Sequence, residues 1–260
     1  MDLLLDRLLL VLVVAALGLA GCQGPGSVRD ESGESVVPGA QPAGKEQVYI
    51  ELANAYLQEG QVGVALTKAQ QAIEVNPNSS LARVVLGLVY ERMGEAPKAE
   101  AEYQEALRLT PENFYAHNAY GAFLCKQRRF AESEREFQAA ISNPLNANPW
   151  FALLNAGTCA QDQGNRAAAE GHYREALQRN PRFAPALLRM ARLNVDGGDY
   201  PAARQYLERY AGVAQPTAES LSLSAQVERQ LGNRAKAASY ERLLRERFPD
   251  SVEVQRLRAK

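Results

Sequence analysis

The sequence predicts an all-α protein, a right-handed superhelical solenoid of six stacked helix-turn-helix repeats. Two observations predict this fold. Blocks of 34 residues recur from residue 46 onward, each with small residues and a proline at fixed places, and such a period is the signature of stacked repeats. Hydrophobic residues make up 46% of the chain but aromatic residues only 7%. This Ala- and Leu-rich mixture favours helix, because these residues lose little conformational freedom there.

Residues 1–21 are predicted to be an export signal. Residues 8–20 form an uninterrupted apolar run, shorter than the ~20 residues that a membrane-spanning helix needs and suited to a signal peptide. The run ends in Leu19-Ala20-Gly21-Cys22, which resembles the lipobox of bacterial lipoproteins. In that family the cysteine is lipid-modified and becomes the new N-terminus. The alternative is an uncleaved anchor followed by an ordinary internal cysteine.

The lipobox resemblance implies that Cys22 carries the lipid and fixes the protein to the periplasmic face of a membrane. More than one acyl chain is attached in such lipoproteins, which is enough for stable anchoring. Gln23 follows the cysteine, where an Asp would favour retention in the inner membrane, so the expected location is the outer membrane. Residues 22–45 contain five glycines and three prolines with no helical or strand period, which predicts a flexible tether.

The repeats are predicted to occupy residues 46–251, followed by a C-terminal tail over residues 252–260. The six blocks are 46–79, 80–113, 114–147, 150–183, 184–217 and 218–251, with two extra residues before the fourth. Pro77, Pro111, Pro181 and Pro249 stand at position 32 of their blocks. Proline cannot continue a helix and disfavours helix in the residue before it, so these prolines end their repeats.

Small residues mark the place where the two helices of each block cross. Position 8 is always Ala or Gly: Ala53, Gly87, Gly121, Gly157, Ala191 and Ala225. Position 20 is also small: Ala65, Ala99, Ser133, Ala169, Ala203 and Ala237. Antiparallel helices approach to ~8–10 Å only where small residues meet. Each unit alone leaves an apolar face exposed, which stacking buries. These are tetratricopeptide repeats.

Composition and spacing argue against catalysis, metal binding and nucleic-acid binding. The chain has 29 basic and 30 acidic residues, and removal of residues 1–21 leaves equal numbers, so no basic footprint for nucleic acid is expected. His117 and His172 fall at repeat positions that favour surface or interhelix side chains over ligands. No His/Cys spacing is typical of a metal site, and no phosphate loop or nucleophile elbow occurs. We therefore expect no enzyme activity, cofactor, metal or small-molecule substrate.

Cys125 and Cys159 lie on the first helices of adjacent repeats, which stack side by side in this architecture. An exported protein meets an oxidising compartment where disulfides persist, so a Cys125–Cys159 bridge is expected. The alternative is two buried thiols that act as small hydrophobic side chains.

A partner-binding groove is predicted on the concave surface of repeats one and two. First helices line that surface mainly through positions 2, 5, 9 and 12, and in these repeats five of the eight residues are aliphatic. The predicted groove residues are Ile50, Asn54, Leu57, Leu81, Val84 and Leu88. We expect the aliphatic ones to be exposed, and exposed apolar patches mark interaction sites. The alternative is that tether residues or tight curvature cover them. In repeats five and six the same positions are more polar.

Several segments go beyond the generic repeat and resemble the type IV pilus biogenesis and stability lipoproteins, or pilotins. Residues 118–125, NAYGAFLC, are similar to that family's N-x-Y-G-x-F-L-C stretch, and residues 155–159, NAGTC, to its N-A-G-x-C. Residues 203–210, 217–221 and 248–251 also fit. Asn146 and Ala147 depart from the Tyr-Pro that often follows the family's Asn-Pro-Leu.

The resemblance implies a scaffold that binds the pilus secretin subunit and promotes its outer-membrane localisation and multimer assembly. A lipid anchor, a tether and an apolar groove suit that role. The alternative in the same structural class is a lipoprotein adaptor for another envelope complex, such as a cell-wall synthase or the barrel-assembly machinery. An enzyme would need a catalytic cluster, which the sequence does not offer.

The lipobox generates a prediction for Cys22. A Cys22→Ser variant should lose acylation, because serine has no thiol to modify, and should appear in the soluble periplasmic fraction or as unprocessed precursor. Membrane fractionation with immunoblotting measures this. Wild-type fractionation of the variant with the outer membrane would show that Cys22 is not the main anchor.

Overall fold

A computed structural model describes residues 44–258, together with the residue pairs 28–29 and 35–36. The predicted signal peptide, Cys22 and most of the tether lie outside the described residues. The described part of the tether contains two short strands, β1 (Val28–Arg29) and β2 (Ser35–Val36), which pair antiparallel with Val28 opposite Val36. No strand was predicted in the tether. A strand of two residues is too short to produce an alternating pattern in the sequence.

The all-α repeat fold predicted from the sequence is confirmed by the structure of residues 44–258. Within residues 44–258, six helix pairs follow one another, and a short thirteenth helix follows the last pair. The helices are α1 (Lys45–Gln58), α2 (Val62–Val75), α3 (Ser80–Met93), α4 (Ala96–Leu109), α5 (Phe114–Lys126), α6 (Phe130–Ser142), α7 (Trp150–Asp162), α8 (Arg166–Arg179), α9 (Ala184–Asp196), α10 (Tyr200–Ala211), α11 (Ala218–Gln230), α12 (Arg234–Arg247) and α13 (Val252–Arg258). None of these helices is long and apolar enough to cross a membrane.

The turn inside each repeat requires a left-handed backbone. Five of the six turns place glycine there, with φ between 75° and 82°: Gly60, Gly94, Gly164, Gly198 and Gly232. In the third repeat Arg128 adopts φ 61° instead, and it is the one non-glycine residue with positive φ in the described part of the chain. Glycine has no Cβ to clash in this conformation, which explains its recurrence at position 15.

The two helices of repeats two, three and four meet through a contact between a glycine and an aromatic ring. A Cβ added to Gly87 would stand 2.7 Å from the Tyr103 ring, and one added to Gly157 would stand 2.4 Å from the Tyr173 ring. Gly121 and Phe137 form the same contact in repeat three. We call this the glycine–ring contact. Where position 8 is Ala, the opposing residue is smaller, as in Ala53 with Ala69 and Ala191 with Leu207.

The C-terminal end of the stack is covered by α13. Residues 252–260 were predicted to be a tail without a helix. Val254 of this helix is fully buried and lies in one core cluster with Leu221 and Leu244 of the last repeat. A terminal repeat has no following neighbour to bury its apolar face, so a further helix fulfils that role. Seven residues are too few for a helical period to stand out in the sequence.

The glycine–ring contact predicts opposite effects of two Gly→Ala changes. In Gly157→Ala the new methyl group would overlap the fully buried Tyr173 ring, and we expect a loss of about 1–3 kcal/mol in the free energy of unfolding. The better helix propensity of alanine, up to about 1 kcal/mol, offsets part of this loss. Gly171→Ala is the matched control, since Gly171 lies inside α8 with open space around it and should gain about 0.5–1 kcal/mol. Urea denaturation measures both, and equal effects would contradict the contact.

Candidate partner-binding groove

The concave surface of the first repeats contains the predicted groove residues, but not in the predicted state. The expectation of exposure is wrong for Ile50, Leu57 and Val84, which are 3%, 7% and 4% exposed. Ile50 and Leu57 share a core cluster with Val85 and Val89 of α3, while Val84 packs in the cluster that contains residues of α5. First helices of neighbouring repeats therefore pack against each other and cover these side chains. Leu81 and Leu88 are half-buried.

Five of the six predicted residues still line one cavity. It has a volume of about 480 Å³, and its lining includes Ile50, Asn54, Leu81, Val84 and Leu88. We call it the aliphatic chamber. Leu57 lines an adjoining cavity of about 310 Å³ that shares Asn54 and Leu88 with it. The buried aliphatic side chains form the floor of the chamber, and the half-buried leucines form its accessible apolar surface.

Two acidic side chains line the aliphatic chamber: Glu51, which accepts from Gln47 Nε2 at 2.8 Å, and Glu91, which is paired with a lysine. The Tyr103 hydroxyl donates to Glu91 at 2.5 Å, and Lys126 Nζ donates to the other carboxylate oxygen at 2.6 Å. Burial, reinforced by the neighbouring Glu91 charge, raises the pKa of Tyr103 far above its usual value, so this hydroxyl stays a donor. Because Glu91 is neutralised by Lys126, it does not present an unpaired charge to the chamber.

A further cavity, of about 340 Å³, lies between repeats three and four. Its lining is Phe114, Tyr115, Asn118, Asn146, Asn148, Phe151, Ala152 and Asn155. We call it the aromatic chamber. It shares Tyr115, Asn118 and Asn155 with the aliphatic chamber, so the two form a continuous groove.

Tyr115 and Phe151 are absent from the predicted groove residues, although they occupy position 2 of repeats three and four. Position 2 is one of the four concave positions, so the repeat register itself is the signal that points to them.

Asparagine side chains fix the loop that borders the aromatic chamber. Asn143 Oδ1 accepts from the Leu145 backbone N–H, and Asn146 Nδ2 donates to the Ala140 backbone carbonyl oxygen. Asn146 Oδ1 in turn accepts from the Asn148 backbone N–H. The two extra residues before repeat four are thereby held in one conformation, and the loop contributes Asn146 and Asn148 to the chamber.

Asn118 of α5 and Asn155 of α7 are joined across the groove. Asn155 Nδ2 donates to Asn118 Oδ1 at 3.0 Å. This bond uses neither the amide hydrogens of Asn118 nor the Oδ1 atom of Asn155, and both side chains line the groove, so the pair holds donors beside an acceptor. A peptide unit offers one donor and one acceptor, so the pair is complementary to the backbone of an extended chain.

The same two helices carry the cysteines. The structure pairs Cys125 of α5 with Cys159 of α7, which are 34 positions apart in sequence and have their Cα atoms 5.8 Å apart. This Cα separation lies within the range that a disulfide spans without backbone movement. Cys159 is buried, and its Sγ lies 3.5 Å from the Ser133 hydroxyl.

The histidines are held by structural contacts. His117 Nδ1 lies 2.7 Å from Glu136 and Nε2 lies 2.8 Å from the Pro111 carbonyl oxygen. Both partners are acceptors, and the hydrogen bond to Glu136 holds the pKa of His117 above its usual value. His172 Nε2 is 3.6 Å from Glu134. Within residues 44–258 and the two strands, no three His, Cys, Asp or Glu side chains are grouped closely enough to hold a metal ion.

The concave surface of the C-terminal repeats is built differently. Arg192 of α9 forms an ion pair with Glu219 of α11 at 3.0 Å, across positions 9 and 2, which are Leu88 and Leu81 in repeat two. Leu188 is half-buried between two core clusters, in the way that Leu88 is in the N-terminal half. The groove formed by the two chambers is built by repeats one to four and does not include Leu188.

Comparison with known proteins places these features in a family. Residues 50–114 and 90–149 match a family model described as tetratricopeptide repeat, and residues 160–227 match a second model with the same description. The type IV pilus assembly protein PilF of Pseudomonas aeruginosa is 30% identical over 244 residues, which cover 94% of this chain and 95% of the relative. The chain belongs to the PilF family of tetratricopeptide-repeat proteins.

Solved structures agree with this family assignment. A structure from a functional study of Pseudomonas aeruginosa PilF superposes with a TM-score of 0.68 at 29% identity, covering 83% of this chain and 97% of that one. The crystal structure of PilW, described as a widely conserved type IV pilus biogenesis factor, gives 0.70 at 30% identity, covering 83% and 99%. An uncharacterised Haemophilus influenzae protein is 32% identical over 111 residues, 43% of this chain and 62% of the relative.

The cysteine geometry predicts a stabilising disulfide in this PilF-family chain. Thiol counting on the denatured, unreduced protein should find neither Cys125 nor Cys159 free. Reduction should lower the free energy of unfolding by roughly 3–4 kcal/mol, because a cross-link across 34 residues restricts the unfolded chain. The Cys125→Ala/Cys159→Ala double variant is the control, since reductant should not change its stability. Two reactive thiols in the wild-type protein would refute the bridge.

Proposed function

We propose that this protein is an outer-membrane lipoprotein scaffold that binds the type IV pilus secretin subunit and promotes its outer-membrane localisation and multimer assembly. Homology to the type IV pilus biogenesis factors PilF and PilW supports a role in pilus assembly. The lipobox at Leu19–Cys22 supports the membrane location. The role is that of a non-catalytic scaffold, in keeping with a repeat family whose stacked helices build extended binding surfaces.

The observation that carries the proposal is the continuous groove formed by the aliphatic and aromatic chambers. Its apolar surface is interrupted by a few polar side chains, and the charged Glu91 on its wall is paired with Lys126. Grooves of this kind bind polypeptide segments, because apolar side chains of the segment are removed from water while amide groups fix its backbone. A protein partner, rather than a small-molecule substrate or nucleic acid, fits such a surface.

The relatives favour a role in pilus assembly over a role in another envelope complex. The match to PilF extends over nearly the whole chain and nearly the whole relative. The adaptor alternative rests on the tetratricopeptide architecture alone, which many unrelated functions share.

The aliphatic chamber generates a prediction for Leu88. In Leu88→Asp a carboxylate replaces half-buried apolar surface, so an incoming apolar side chain would have to desolvate a charge. We expect capture of the secretin subunit to fall at least about tenfold, equivalent to about 1.4 kcal/mol. Pull-down from membranes and the amount of secretin multimer measure this effect.

Leu188→Asp is the matched control. It makes the same change on the first helix of repeat five, where the leucine is similarly half-buried between two core clusters but lies outside both chambers. Its effect on the melting temperature should resemble that of Leu88→Asp, while secretin capture should stay near the wild-type level. Wild-type capture by Leu88→Asp, or equal losses in both variants, would refute the role of the chamber.

A further inference from the structure

The aromatic chamber has a lining without charge, in a chain of which 23% of the residues are charged. Its eight lining residues are aromatic rings, asparagine amides and one alanine. A charged ligand side chain placed there would lose water without gaining an opposite charge, which is strongly unfavourable. The lining therefore selects against Asp, Glu, Lys and Arg in whatever it binds.

Two aromatic rings stand open on the sides of this chamber. Tyr115 is 57% exposed and Phe151 is 52% exposed, whereas every other aromatic side chain in residues 44–258 is buried or half-buried. Each ring also packs against a neighbouring ring. The Phe151 ring packs edge-on against Phe183 at 5.1 Å, and the Tyr115 ring lies 4.2 Å from the Phe114 ring. Rings that pack against a neighbour and are still exposed offer ready-made contacts to a further aromatic side chain.

The amide pair at the junction of the two chambers adds a backbone contact. Asn118 and Asn155 line both cavities, and their mutual hydrogen bond leaves donors on one and an acceptor on the other. A segment that satisfies them with its backbone would pass from the aromatic chamber into the aliphatic chamber. Continuity with Leu81 and Leu88 favours a polypeptide over a glycan, because a glycan has no aliphatic side chain to bury there.

We propose that the aromatic chamber is a specificity site for an extended, uncharged polypeptide segment that carries an aromatic side chain. The aromatic side chain inserts between Tyr115 and Phe151, the Asn118–Asn155 pair binds the adjacent backbone, and a neighbouring aliphatic residue enters the aliphatic chamber. This inference rests on the proposed function for its partner, but it concerns the chemistry of the bound segment and has a test of its own.

The test is selection of peptides from a random display library on the immobilised full-length protein. The selected peptides should carry Phe, Tyr or Trp within a run of uncharged residues. One of them, synthesised with blocked ends and a fluorophore, should bind in solution with a Kd that rises at least about tenfold for the Tyr115→Ser/Phe151→Ser double variant. Replacement of the aromatic residue of the peptide by Asp should abolish binding.

Met93→Ser and Val252→Ser are the matched controls. Both side chains are exposed apolar groups, at 45% and 48%, and both lie outside the two chambers. They should leave the affinity for the selected peptide within about twofold of wild type. Melting temperatures of all variants exclude unfolding as the cause of a loss.

Selected peptides that are charged or lack an aromatic residue would overturn the inference, as would unchanged affinity in the double variant. Failure to select any peptide, or displacement of the selected peptide by cell-wall oligosaccharides, would also overturn it.

The secretin-binding proposal and the aromatic-site proposal can fail independently of each other. Loss of secretin capture in Leu88→Asp without any effect of the ring substitutions keeps the secretin function and rejects the aromatic site. If the selected peptide needs the two rings for binding but the wild-type protein does not capture the secretin, the aromatic site is kept and the secretin function is rejected.

Discussion

In the middle repeats of this protein, the ring at position 24 occupies the space where a side chain at position 8 would stand. Tyr103, Phe137 and Tyr173 each fill that space, and each faces a glycine on the first helix of its own repeat. The side chains at positions 8 and 24 compensate for each other in size. Where position 8 is Ala, in repeats one and five, the side chain at position 24 is smaller than a ring. This contact sets the distance between the two helices of a repeat and the rotation of the first helix about its axis.

The rotation of the first helices determines which of their side chains are exposed in the groove. Positions 5 and 12 turn partly toward the neighbouring repeat, so Ile50, Val84 and Leu57 are buried although they lie on the concave side. Position 2 turns away from the neighbours, which leaves Tyr115 and Phe151 open. Repeats one and two therefore present a buried aliphatic floor, and repeats three and four present exposed aromatic rings.

The helices α5 and α7 are tied to each other at two levels along their length. Asn118 and Asn155 join their N-terminal halves by a hydrogen bond, and Cys125 pairs with Cys159 further along. The asparagine-rich loop before α7 accommodates the two extra residues without disturbing this pairing. These helices also carry the exposed rings of Tyr115 and Phe151. The exposed rings therefore lie on two helices that are linked by a hydrogen bond and by a disulfide. A rigid site loses less entropy on binding than a mobile one.

The sequence by itself determined the repeat architecture, the position of each turn and the proximity of Cys125 to Cys159, because these follow from period and residue size, which are local properties. It also identified five residues that line the aliphatic chamber. It could not decide whether those residues are exposed, because burial depends on how closely the next repeat approaches. The sequence places Tyr115 and Phe151 at position 2 of their repeats, but it could not show that they share a cavity with Asn118 and Asn155. Tyr115 and Asn118 lie on α5 and Phe151 and Asn155 on α7, and only the packing of these two helices and the loop between repeats brings the four side chains to one cavity.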